Sequence, residues 1–94
     1  MKLFKIWQDV NDSYDTYDSA VVAADNENEA KHIYPAGNYY EWDGEKFFYA
    51  APNGVNYIQK LYDWTHPDNV KVQYIGEARE GTEKGIIVAS FNAG

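Results

Sequence analysis

The chain has 94 residues, fifteen acids against eight lysines and arginines, a net charge of −7 and no cysteine. This length holds one core, so residues 1–94 read as a single domain, and neither disulfides nor thiolate metal sites can supplement it. The charge opposes direct binding to nucleic acid or to anionic membranes, because both need cations to neutralise them.

Leu3–Gln8 predicts a first strand, with Phe4 and Ile6 on one face and Leu3, Lys5 and Trp7 on the other. The opening Met1–Ile6 is too short an apolar stretch for a signal peptide. No run nears the roughly 20 apolar residues of a membrane span, so a soluble cytoplasmic protein of the host cell is expected. Asp9–Asp18 is polar and reads as a loop, since Asp and Asn bond to nearby backbone and favour turns. Ser19–Ala24 then reads as a short buried strand.

Asp25 is a suitable N-cap for a short helix with Glu27 and Glu29 in its first turn, Ala30, Ile33 and Tyr34 on one face, and Pro35 as its end. Asn38–Trp42 and Glu45–Ala50 predict a hairpin around Asp43-Gly44, a favoured pair for a two-residue type I′ turn. Pro52-Asn53-Gly54 is another turn. Val55–Trp64 fits a helical face through Val55, Ile58, Leu61 and Tyr62, or a second hairpin closed by Asn53-Gly54; helix is the favoured reading. Val70–Ile75 alternates, and Gly85–Phe91 reads as a buried, central strand. The expected fold is α+β: a largely antiparallel sheet of about five to six strands with one short helix packed on one face.

Catalytic patterns are missing. His32 and His66 are the two histidines, and Ser13, Ser19 and Ser90 lie in no nucleophile elbow. Asp9–Asp15 partly mimics a calcium loop, but Tyr14 stands at the glycine position and Ala20 where the bidentate Glu belongs. The glycines form no phosphate-cradling fingerprint. Neither enzymatic activity, a cofactor nor a metal is expected. Tyr39, Tyr40, Trp42, Phe47, Phe48 and Tyr49 offer stacking platforms without the basic groove of a nucleic-acid binder.

Recognition of another protein remains. Residues 1–45 carry ten acids against three lysines, while residues 46–94 carry five of each sign. The candidate partner-binding residues are Asp9, Asp12, Asp15 and Asp18, which steer association, with Tyr39, Tyr40 and Trp42 supplying contact energy. The expected partner is a host protein with a basic surface. The rival reading is a homo-oligomer whose aromatic pockets sequester a nucleotide signal, with Lys46, Lys60, Lys71, Arg79 and Lys84 as the cations available to phosphates.

Two blocks carry a resemblance: Tyr14-Asp15-Thr16-Tyr17-Asp18-Ser19-Ala20-Val21-Val22-Ala23-Ala24, and Val70-Lys71-Val72-Gln73-Tyr74-Ile75-Gly76-Glu77-Ala78 with the ending Ala89-Ser90-Phe91-Asn92-Ala93-Gly94. They resemble a group of small proteins encoded in tailed-phage genomes and prophages. The likeness covers the first third and last quarter of the chain, and no site residue carries over from it. It implies a non-enzymatic phage accessory protein, of a kind that inhibits host machinery or anti-phage defence by occluding a surface.

Overall fold

A computed structural model describes residues 1–11, 14–37, 40–58 and 63–92. In chain order these form β1 (Lys2–Trp7), β2 (Thr16–Ala24), α1 (Glu27–Ala30), β3 (Tyr40–Trp42), β4 (Phe47–Ala51), β5 (Gly54–Tyr57), a 3₁₀ turn (Pro67–Asn69), β6 (Lys71–Glu77) and β7 (Gly85–Asn92). The fold is sheet-rich and antiparallel with one short helix. Its strands are divided between two sheets, ordered β6-β1-β2-β7 and β3-β4-β5, where one sheet of five to six strands was expected.

Alternation along β1 sends Phe4 (2% exposed) and Ile6 into the core and leaves Lys5 outside. Phe4 faces Val22 and Ile6 faces Ala20 across the β1–β2 register, so one face of the larger sheet is continuously apolar. Ala30, Tyr34, Phe47, Trp64 and Val70 close over it. The smaller sheet enters the core chiefly through Phe47, whose ring meets Tyr34 edge-on at 4.9 Å.

Five expectations need correction. β2 begins at Thr16, inside the segment expected to be loop. The helix is capped by Asn26, not Asp25: its side chain accepts the Glu29 N–H at 2.8 Å, and α1 gives way after one turn to bonds from His32 to Glu29 and from Ile33 to Ala30. The β3–β4 connection spans four residues rather than two, because the Asp43 carboxylate accepts the N–H groups of both Glu45 and Lys46 at 2.8 Å. Those bonds hold the Asp43 carboxyl below its usual range.

Residues 55–57 are strand, paired with β4 from Phe48↔Tyr57 to Ala51↔Gly54, so the hairpin displaces the helical reading there; residues 59–62 lie outside the described residues. Finally, β7 is an edge strand, not a central one. Ile87 (51%), Val88 (58%) and Phe91 (44%) are exposed, and register shifts at Tyr17/Ser19 and Val21/Val22 break its pairing with β2. An apolar β-branched run has the same composition in either place.

Candidate functional site

Of the candidate acids, Asp9, Asp15 and Asp18 gather at one end of the larger sheet. The Gln8 N–H donates to the Asp18 carbonyl at 3.3 Å, and the Asp15 N–H donates to Asn92 at the end of β7. Asp15 takes φ 61°, a left-handed conformation that Asp tolerates better than most residues. Asp18 is exposed where the β2–β7 register shifts. Asp9 is exposed but paired with the Lys71 ammonium at 2.7 Å, which holds its carboxyl below the ordinary range through that hydrogen bond first and through charge second. Asp12 and Tyr39 lie outside the described residues.

Gln8 organises this end, and composition offered no hint of it. The side chain is buried; its Nε2 donates to the carbonyls of Asn11 (2.7 Å) and Tyr17 (3.0 Å). Its Oε1 accepts the N–H groups of Val10 (2.9 Å) and Asn11 (2.7 Å). One amide thus satisfies three backbone groups of a loop with no ladder of its own and ties that loop to Tyr17 of β2.

Tyr40 and Trp42 lie elsewhere. Between the α1 segment and β3 opens a cleft of about 750 Å³, which reaches Lys84 and Gly85 where β7 begins. Asp15 and Asp18 sit at the far, Asn92 end of that strand pair. The structure therefore separates the loop acids from the candidate rings. The cleft has its own acids, Glu29 and Glu41.

The rings are fixed by neighbouring rings. Trp42 is half-buried, edge-on to Phe47 (5.0 Å) and between the two histidines, with ring centroids 5.2 Å from His32 and 5.4 Å from His66. His32 Nδ1 lies 2.6 Å from the Asn28 carbonyl, so that nitrogen carries the proton and donates. His66 Nδ1 accepts the Asp68 N–H at 3.1 Å, which leaves its proton on Nε2 in the neutral ring. Tyr40 stacks on Tyr34 at 4.7 Å.

Glu29 is also held: its N–H donates to Asn26 while its carboxylate accepts the Asp25 N–H at 3.1 Å, a reciprocal cap. Among the described residues the one ion pair within 4 Å is Lys71–Asp9; His66 Nδ1 lies 3.5 Å from the Asp68 carboxylate but, as an acceptor, makes no ion pair with it. Lys84 lines the cleft without pairing either glutamate.

Trp42 and Tyr40 were legible as candidates, and Lys84 stood among the cations of the nucleotide reading; Glu29 and His32 were tied to no binding site, because the cleft is assembled from three separate stretches of chain. The Asn26-x-x-Glu29 spacing was the one available signal. Among the described residues no group of three or more His, Asp or Glu is placed to hold a metal ion, and no helix is long and apolar enough to cross a membrane. Compared with protein-family models, curated proteins and solved structures, the chain matches none.

Proposed function

We propose that this chain is a non-enzymatic binding protein that occludes a basic surface of another protein; the resemblance to tailed-phage proteins makes that partner a bacterial host protein, including one of an anti-phage defence system. The observation that carries the reading is charge left unpaired beside half-exposed rings. Among the described residues only Asp9 of the acids has a described lysine or arginine within salt-bridge distance, while Tyr40 and Trp42 stand beside Glu29 and Glu41. Desolvated aromatics supply contact energy and the field around them selects a cationic partner. The nucleotide-sequestering alternative is weaker at this cleft, where phosphates would meet Glu29 and Glu41 with Lys84 as the lysine lining it.

The test is affinity capture from bacterial lysate with immobilised chain at low and high salt. A protein with a basic surface, recovered at low salt and released at high salt, is the expected result. A charge-reversed chain (Asp15→Lys, Asp18→Lys, Glu41→Lys) should recover none of it. Retention by that variant, or no salt-sensitive capture by the natural chain, overturns the proposal.

A further inference from the structure

We infer that the cleft beside Trp42 receives a basic side chain of the partner, an arginine foremost, as the anchor of a short cationic segment. This inference rests on the occlusion reading above and specifies where and how the contact is made.

Two features of the cleft converge on a cation, and its size admits the segment around it. Its aromatic wall is Trp42 and Tyr40, and an indole offers the strongest π-face for a cation. Both rings pack against other rings, Trp42 on Phe47 and on the cleft-lining His32 and Tyr40 on Tyr34, so little order is lost on binding.

Its charge is negative. Glu29 is locked in place by the cap with Asn26 and Asp25, and Glu41 stands on the exposed β3 edge. An anionic ligand would face both, and an apolar one would strand Asn26, Asn28 and the two carboxylates without water.

Its size, about 750 Å³, falls within the roughly 300–1,000 Å³ of small-ligand clefts and exceeds one side chain. Arginine is favoured over lysine because the planar, weakly hydrated guanidinium can stack on the indole while its fork pairs with carboxylate. Lys84 lines the same cleft unpaired with either glutamate, and so acts as a competing charge that lowers affinity.

The experiment titrates ¹⁵N-labelled chain with an unstructured arginine–glycine peptide, its lysine counterpart, and its citrulline counterpart, which keeps the shape without the charge. The arginine peptide should shift the Trp42 indole and the Glu41 and Lys84 amides; the lysine peptide should do so more weakly and the citrulline peptide not at all. Trp42→Leu is expected to weaken binding by about tenfold or more. Trp42→Phe, which keeps most of the packing, should weaken it less. Glu29→Gln, which keeps the cap, and Glu41→Gln should each weaken it several-fold, while Lys84→Gln should tighten it.

Equal binding of the citrulline peptide, shifts confined to the Asp15–Asp18 end, no shifts at all, or weaker binding by Lys84→Gln would each overturn the assignment. If those results accompany salt-sensitive capture of a partner, the cleft assignment fails and the occlusion reading stands. Arginine-peptide binding without any captured partner upholds the cleft and overturns the broader reading.

Discussion

Tyr34 joins the two sheets through one side chain. Its ring stacks on Tyr40 of β3, meets Phe47 of β4 edge-on, and is buried (4% exposed) in the cluster that includes Phe4 and Val22. Its hydroxyl donates to the Asp63 carboxylate. Burial first, and that bond second, push the phenol far above its ordinary range, and Tyr17 beside it is raised chiefly by burial. The native state therefore keeps a proton that the unfolded chain loses above about pH 10, so this contribution is complete below that pH and lost above it, by up to about 1.4 kcal/mol per pH unit. Tyr34→Phe should lower stability near neutrality by about 1.5–3 kcal/mol, the worth of a hydrogen bond to a charged group, and should flatten the alkaline fall. Urea titrations between pH 7 and 11 check both; an unchanged alkaline slope would show that Tyr34 does not hold the proton.

At the scale of elements, periodicity was informative wherever one face is buried and the other wet. β1 was legible because Phe4 and Ile6 alternate with Lys5; β6 was legible from Val70 just before it and the half-buried Val72 alternating with Lys71 and Gln73, although Tyr74 on the same period is exposed. β7 was not, since Ile86-Ile87-Val88 reads the same in a centre as at an edge and only its pairing decides. In residues 55–57 helical spacing competed with a hairpin closed by Asn53-Gly54; the ladder to β4 won locally, with Ala51 paired to Gly54 so that the turn falls one residue earlier, at Pro52-Asn53.

The loop after β1 shows the same limit, because its order comes from Gln8, a residue with no strong propensity of its own. Gln8→Ala leaves the carbonyls of Asn11 and Tyr17 and the N–H groups of Val10 and Asn11 without that partner. Water can reach part of the loop, so a loss on the order of 3 kcal/mol is expected rather than the full sum. Amide exchange should accelerate at Val10 and Asn11 before it does in β2. A melting temperature equal to that of the natural chain would mean that the amide is dispensable.

Over the whole molecule, the loop acids and the cleft form two negative ends of one sheet. From Asp18 to Ala23, which faces Gly85 at the cleft, β2 runs five residues, or about 17 Å at ~3.3 Å per residue. That exceeds the Debye length of about 8 Å at physiological ionic strength but not the roughly 30 Å at 10 mM salt. The ends should act as one field in dilute buffer and as two in physiological salt. Asp15→Lys with Asp18→Lys should therefore weaken arginine-peptide binding at the cleft several-fold at about 10 mM salt and leave it nearly unchanged at about 150 mM. Glu41→Gln, inside the cleft, should still weaken binding at the higher salt. Isothermal titration at the two ionic strengths separates these behaviours. Equal losses from the double reversal at both would mean that the ends communicate through a change in structure, not through the field.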